Sequence, residues 1–314
     1  FEEKGYYVIP TGLQHGTITV MLNGVGYEIT TFRRDSDYED HRHPNNVEFT
    51  SNLIEDLSRR DFTMNAIAYN PTVGIVDPFR GLEDIKNRVI RCVGSPVDRF
   101  SEDALRILRA IRFACQLDFS IDPAIGWVTG YTDIKETLKY VSAERIQSEL
   151  LKMIVCDSFA NRLLWHHGVF EEFIPEFKEM FISQNNPYHI YNVAQHTAKV
   201  LDNIKANDVV LRLAALFHDI GKPHCYQDSK DGIRHFKGHG KASADMADVI
   251  MRRLRFDNDT REAVIQLINY HDATFEVGDK YVKRWLNKIG QEQFKRLLKL
   301  RKADIMAQNP EYAE

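Results

Sequence analysis

Four cysteines in 314 residues, Cys92, Cys115, Cys156 and Cys225, stand at no spacing that suits a disulfide framework, a zinc site or a redox pair. Their scatter fits a reducing compartment and predicts a cytoplasmic protein. Long apolar runs are missing too. Stretches such as residues 211–217 are far too short to span a bilayer, and no signal-peptide pattern opens the chain, so a membrane role is excluded. Internal repeats and low-complexity segments are absent, which removes solenoids and disordered tails. A strong excess of either charge is also lacking. The formal net charge of −4 argues against broad, nonspecific nucleic-acid binding. Local basic clusters remain at residues 106–112, 252–255 and 295–302, each equally readable as a solvated helix face. What is present, 43% hydrophobic and 27% charged residues, suits a globular chain of two or three domains.

Residues 15–33 give two alternating β-rich runs around Asn23-Gly24, a strong hairpin signal. Residues 35–46 are polar, charged and interrupted by Pro44, and read as a mobile loop. From Leu53 onward strand signals fade and helical patterns dominate, broken near residues 71–81, 94–96, 222–240 and at Pro175 and Pro187. The chain therefore reads as α+β, a small mixed head at 1–92, a helical neck and body at 93–185 and a second helical domain at 186–314. It opens on Phe1 with residues that look internal to a domain, so a segment is expected upstream, and another beyond Glu314.

The most informative stretch is RFSEDALRILRAIRFA, residues 99–114. Read as one helix, it places Asp103 and Arg106 a turn apart on one face, a carboxylate acceptor beside a guanidinium donor. Cytosine and adenine each offer an amino donor next to a ring-nitrogen acceptor, whereas uracil and guanine reverse that order. Such a pair should accept C and A and refuse U and G. The competing reading is structural: Ser101 as N-cap, Glu102 and Asp103 at the positive helix end, and Arg106, Arg109 and Arg112 in solvent. The helix alone leaves the two level.

Glu28 lies in the second hairpin strand, facing away from Tyr27 and Ile29. A strand carboxylate of this kind can hold metal for nucleotidyl transfer if other acids join it, and none stands upstream in a suitable pattern. Arg59 and Arg60 precede Asp61, a candidate N-cap for a helix through Thr63, Asn65 and Ala68. Guanidiniums at a helix start suit a triphosphate or a ribose. Asp77-Pro78, with Asp84 nearby, reads as a turn. Further on, the apolar LRLAALFHDIGK ends in adjacent His218 and Asp219, with His196 one helix earlier and Asp304 far downstream. Imidazoles and carboxylates from several helices suit a divalent ion that activates water for phosphate-ester hydrolysis. His239 and His271 could complete a two-metal site, though each reads first as structural or supporting.

These residues carry a family resemblance. His15-Gly16-Thr17, residues 27–33 (YEITTFR), residues 59–66 (RRDFTMNA), Asp77-Pro78, residues 102–106 (EDALR) and Ser142-Ala143-Glu144-Arg145 follow one another as in the class II CCA-adding enzymes, the tRNA nucleotidyltransferase and poly(A) polymerase family. The resemblance implies a polymerase-β-like nucleotidyltransferase head, truncated here, and an all-helical neck and body that grips the tRNA acceptor end. It implies CCA addition from CTP and ATP with Mg2+, and a protein template formed by Asp103 and Arg106. Arg60, Arg109 and Arg112 would contact the nucleotide, Arg59, Asp61 and Asn65 the ribose, and Glu28 would be the third catalytic acid. Glu144 and Arg145 would brace the neck helix.

In that family an Asp-x-Asp pair precedes the His-Gly-Thr strand. This sequence begins after it, so these 314 residues alone are expected not to add nucleotides. Residues 35–46 resemble the loop of enzymes that add the terminal A, which favours CCA over CC addition.

His218-Asp219-Ile220-Gly221-Lys222, with His196 and Asp304, resembles the HD phosphohydrolase domain over residues 187–309. That implies a helical domain with a transition metal, acting on 2′,3′-cyclic phosphates or removing phosphate. The competing readings are a poly(A) polymerase or A-adding enzyme, and a noncatalytic RNA-binding or HD protein.

Overall fold

The computed structural model describes residues 1–13, 16–35, 47–131, 133–205, 207–274, 276 and 278–311. They form two compact units: Phe1–Arg106 with Ser120–Val128, and Ile107–Phe119 with Thr129–Glu314.

In the first unit β1 (Tyr7–Gly12), β2 (Thr17–Leu22) and β3 (Val25–Thr30) make an antiparallel meander in that order. The hairpin expected at Asn23-Gly24 is present. Both residues take positive φ, 50° and 80°, which Asn and Gly tolerate best, and they set Leu22 opposite Val25 and Thr19 opposite Glu28. Val20 is the one residue of these three strands that is buried. A short pair follows, β4 (Arg33–Asp35) with β5 (Val47–Phe49). Most of the expected loop, residues 36–46, lies outside the described residues, as does His15.

Strand structure continues past Leu53, contrary to expectation. β6 (Ala68–Asn70) pairs with β7 (Gly74–Val76), and β8 (Val89–Ile90) runs parallel to β9 (Ser120–Ile121). Strands of two or three residues are too short to show alternation in sequence. The helix expected through Thr63, Asn65 and Ala68 is a single 3-10 turn, Thr63–Asn65. Ala68 already belongs to β6, whose ladder uses the backbone groups a helix would need.

The helix starts have clear causes. Asn52 caps α1 (Leu53–Ser58), and Ser95 caps α3 (Pro96–Glu102), with Pro96 opening it. The Asp77-Pro78 turn caps α2 (Gly81–Asn87), its carboxylate accepting from Gly81 N and Leu82 N at 2.7 and 2.9 Å. Gly81 is required there, since a Cβ would fall 2.2 Å from Thr63 O. Leu57, Ala66 and Val93, flanked by Leu53, Ala68 and Phe79, form a core for this unit.

Helix α4 (Leu105–Leu117) enters the second unit at Ile107, and α5 (Pro123–Tyr131) does so after Val128. The rest is helical: α6 (Ala143–Ile154), α7 (Phe159–Trp165), α8 (His167–Phe170), α9 (Val193–Asn203), α10 (Val209–Phe217), α11 (Lys222–Cys225), α12 (His239–Arg253), α13 (Asn258–Tyr270), α14 (Asp279–Ile289) and α15 (Gln291–Ile305). One small hairpin, β10 (Gln227–Asp228) with β11 (Arg234–His235), interrupts them. Helix α10 is the hub. All its residues from Leu211 to Phe217 are buried, and it packs against α6, α9, α12, α13 and α15. This explains why its sequence is apolar all round rather than along one stripe. All four cysteines are free thiols. Among the described residues no helix is long and apolar enough to cross a membrane.

Candidate functional site

In the first unit the expected head residues converge on a carboxylate that the sequence reading passed over, Asp56. It is 2% exposed and receives Arg59 Nη2 at 2.7 Å, Arg60 Nη2 at 3.3 Å and the backbone NH of Arg33 at 3.2 Å. Burial opposes its charge, but the hydrogen bond and charge of Arg59, with help from Arg33 and Arg60, outweigh burial and hold its pKa below the usual carboxylate value. Arg60 also donates to Asn65 O at 3.0 Å, while Asn65 Nδ2 donates to Asp61 Oδ1 at 2.9 Å. Arg59, Arg60, Asp61 and Asn65 are thus one connected network. Arg60 is its half-exposed member.

The template pair is built differently from expectation. The helix breaks between α3 and α4, and Asp103 sits in the break with extended backbone, φ −148° and ψ 103°. Ser101 lies inside α3 rather than at its start, where Ser95 is the cap. Asp103 is the capping group instead, its Oδ1 accepting from Leu105 N at 3.1 Å, so it does not share a helical face with Arg106. Arg106 donates to Arg99 O at 3.2 Å, to Glu102 Oε2 at 2.5 Å and to Arg59 O at 3.0 Å. Three of its five N–H groups are therefore engaged and two are left. Glu28 stands apart, exposed on β3, and among the described residues it joins no group of three metal-capable side chains.

Arg109 and Arg112 belong to the second unit. Arg109 lies 5.4 Å from the Phe113 ring centre. Arg112, expected at the nucleotide, is buried: it donates to Glu149 Oε2 and to Gln116 Oε1 and stacks 3.8 Å from the Phe113 ring centre. Its guanidinium braces α4 against α6. The expected brace, Glu144, is instead exposed, 4.0 Å from Arg255 on the surface. Removing Glu149 would strand a buried guanidinium, so Glu149→Ala should cost about 3 kcal/mol in urea unfolding. Glu144→Ala should change stability by less than about 0.5 kcal/mol. Equal effects would contradict this assignment.

The second unit brings together every metal ligand expected of it. His196 comes from α9, His218 and Asp219 follow α10, and Asp304 comes from α15; all four are buried. His196 Nε2 lies 2.9 Å from Asp304 Oδ1 and 3.6 Å from Asp219 Oδ2, and His218 Nε2 lies 3.2 Å from Asp219 Oδ2. His239 and His271, read from sequence first as structural with a two-metal site as the alternative, form a second triad: their Nε2 atoms lie 3.3 and 3.8 Å from Asp219 Oδ1. Asp219 is common to both triads, His196–His218–Asp219 and Asp219–His239–His271. A signal for the second triad was available, because His271-Asp272 repeats the His-Asp dipeptide and Asp272 Oδ2 lies 3.2 Å from His239 Nε2.

The donor chemistry fits a cation. Nδ1 of His218, His239 and His271 faces a backbone carbonyl, Ala215 O at 2.8 Å, Phe236 O at 2.8 Å and Ile268 O at 2.7 Å. A carbonyl only accepts, so each Nδ1 carries the proton. In neutral rings the Nε2 lone pairs then face the Asp219 oxygens, and His239 Nε2 faces His271 Nε2 at 3.2 Å. Acceptors facing acceptors need positive charge between them. His218 Nε2 and both Asp219 oxygens are moreover buried without a hydrogen bond.

Lys222, 2.7 Å from Asp219 Oδ2, supplies part of that charge. Burial opposes ionisation of Asp219, yet His218 and Lys222 hold it well below the carboxylate range. Burial likewise opposes a charged His218 or His239, but Asp219 raises both. Burial and the neighbouring His218 push His271 down to about 4. A divalent ion would take the place of those protons. Gly221 is needed beside this centre, since a Cβ there would meet Ser243 N at 2.5 Å.

Comparison with known proteins finds three matched segments. Residues 1–91 match the poly A polymerase head domain, 118–181 the probable RNA- and SrmB-binding site of polymerase A, and 188–307 the HD domain. The chain is 52% identical over 145 residues to the CCA-adding enzyme of Lactobacillus helveticus, covering 46% of this chain and 36% of that one. It is 47% identical over 180 residues to the CCA-adding enzyme of Staphylococcus saprophyticus, covering 56% and 44%. It thus spans less than half the length of these relatives. The CCA-adding enzyme of Bacillus stearothermophilus in complex with CTP superimposes with a TM-score of 0.67 at 26% identity, over 95% of this chain and 64% of that one. A tRNA nucleotidyltransferase complexed with a primer tRNA and an ATP analog shares the fold, with a TM-score of 0.64 at 23% identity over 97% and 83%. In order along the chain, then, stand segments that match a poly A polymerase head domain, an RNA-binding section of polymerase A and an HD domain, and its relatives are CCA-adding enzymes.

Proposed function

We propose that this chain is part of a tRNA nucleotidyltransferase that adds CCA to the tRNA 3′ end from CTP and ATP, with an HD domain that hydrolyses phosphate esters. The observation that carries the reading is the superposition of 95% of the chain on a CCA-adding enzyme in complex with CTP. The three-part division at 1–92, 93–185 and 186–314 goes with it, supported by the matched segments at 1–91, 118–181 and 188–307.

Asp103 and Arg106 select the base in this reading. Arg106 is held by Arg59 O, Arg99 O and Glu102 with two N–H groups to offer, and the Asp103 carboxylate is fixed at the start of α4 by Leu105 N. A rigid donor and acceptor discriminate because the wrong base leaves buried polar groups unpaired. Arg60 reaches the triphosphate, and Arg59, Asp61 and Asn65 shape the ribose contact. Arg109 adds a contact from the neck, and Arg112 acts by fixing α4. Nucleotidyl transfer depends on a divalent ion, Mg2+ here, with Glu28 as one ligand. In the second unit, a transition metal between His196, His218, Asp219 and Asp304 supplies Lewis acidity and an activated water. Lys222 and His239 line the phosphate's place. The site suits 2′,3′-cyclic phosphates and phosphate monoesters, and the location that goes with tRNA maturation is cytoplasmic.

The test uses the gene's whole product and tRNA lacking its CCA end. CTP and ATP should be incorporated at least about a hundredfold better than UTP and GTP, and Asp103→Ala or Arg106→Ala should erase most of that preference. Long A tails made without regard to CTP would favour a poly(A) polymerase, and no incorporation would favour a noncatalytic RNA-binding protein.

A further inference from the structure

One histidine beside the metal-type centre belongs to neither triad. The His189 ring stands edge-on to His196 with centroids 5.0 Å apart. Its Nδ1 is buried without a hydrogen-bond partner, whereas the corresponding atoms of His218, His239 and His271 each face a carbonyl. A buried ring nitrogen left unbonded is costly, and the chain holds it there by local bonds: His189 N donates to Asn186 O at 3.2 Å, closing a tight turn after Asn185, whose φ is 44°.

The ring forms a wall shared by two cavities. The first, about 300 Å³, contains Asp219, Lys222, His239, His271 and Asp304. The second, about 640 Å³, is polar, with Ser183, Asn185, Tyr191 and Asn192 in its lining. Asn186, Ile233 and His189 line both. The first cavity has the cations a phosphate needs, and the second has amides and hydroxyls but no Lys or Arg.

We propose that His189 contacts the substrate of the HD site, its Nδ1 hydrogen-bonding a hydroxyl on the alcohol portion of a phosphate ester. The phosphate lies in the smaller cavity and the alcohol portion extends into the larger one. A hydroxyl can donate and accept, so it satisfies Nδ1 in either tautomer. This inference rests on the phosphohydrolase reading of the second unit.

The test measures binding to the full chain, with and without Mn2+, of inorganic phosphate and of glycerol 2-phosphate, by calorimetry. Bound Mn2+ is counted in parallel. The wild type should bind glycerol 2-phosphate more tightly than inorganic phosphate. His189→Phe, which keeps a flat ring, should weaken the ester by about tenfold, the loss of one hydrogen bond, with inorganic phosphate within about twofold and Mn2+ unchanged. His189→Asn should restore most of the loss. Equal affinity for both ligands, unmoved in His189→Phe, would show that water alone satisfies Nδ1 and overturn the proposal. Loss of Mn2+ and both ligands together would reduce His189 to a support for His196 and overturn it as well. A wild type that binds neither Mn2+ nor phosphate would refute the phosphohydrolase reading itself, taking this inference with it.

Discussion

Replacing Asp219 by Asn should abolish metal binding by the second unit. Asp219 is the residue that both triads share, and among the described residues it is the carboxylate within reach of four imidazoles, with Nε2 distances of 3.6, 3.2, 3.3 and 3.8 Å to His196, His218, His239 and His271. Asn keeps the shape and removes the charge, so the loss falls on the cation rather than on packing. Changes in residues that only orient ligands cost about 10–100-fold in metal affinity, and loss of a shared ligand should exceed that. Metal analysis of purified protein should find Asp219→Asn essentially empty and His218→Ala severely depleted. Nucleotide binding, which is assigned to Arg59, Arg60, Asp103 and Arg106 in the first unit and to Arg109 on α4, should be unaffected. Metal content equal to wild type in Asp219→Asn would refute the assignment.

A second large effect is expected far from any chemistry. Arg212 in α10 is 1% exposed, and among the described residues no carboxylate forms an ion pair with it. Its guanidinium donates to Ile154 O, to Ile204 O at 2.7 Å and to Cys156 O at 2.9 Å. Ile154 ends α6 and Ile204 caps the end of α9, so the negative ends of two helices supply the counter-charge. Burial lowers its pKa from the usual value, but a guanidinium stays charged.

Arg212→Met conserves length and apolar stem while leaving three carbonyls without donors. The expected cost is about 3–5 kcal/mol, the range for breaking a buried charged network. In a unit of this size that lowers the melting temperature by roughly 6–15 °C. Differential scanning calorimetry measures it. A shift of under about 2 °C would mean that water replaces the guanidinium and that the tie is not structural.

How far the sequence could be read depended on the distance over which each feature is specified. Asn23-Gly24 announces its hairpin because the turn is decided by two residues. The first metal triad was legible through the adjacency of His218 and Asp219 at the end of an apolar helix. His239 and His271 were legible only as the weaker of two readings, since each is a lone histidine on its own helical segment and their convergence is set by the packing of α12 against α13. The repeated His-Asp dipeptide at 271–272 was the clue passed over.

The break at Asp103 escaped notice because residues 99–114 hold no Gly or Pro. An Asp that caps the next turn ends one helix and begins another without either. Arg112 looked like part of a nucleotide-facing stripe, and only its partner Glu149, 37 positions away, shows it to be a brace. Asp56 was overlooked for the same reason: nothing local marks a carboxylate as the meeting point of Arg33, Arg59 and Arg60.

The account's central claim is that three imidazoles, each anchored through Nδ1–H to the backbone, aim Nε2 lone pairs at a single buried carboxylate and so require a cation. Nitrogen NMR of the full chain with labelled histidine reads this directly. The claim predicts Nδ1–H tautomers for His218, His239 and His271, with their Nε2 signals moving on addition of Zn2+. Nε2–H tautomers at these positions that persist unshifted in saturating metal would contradict it.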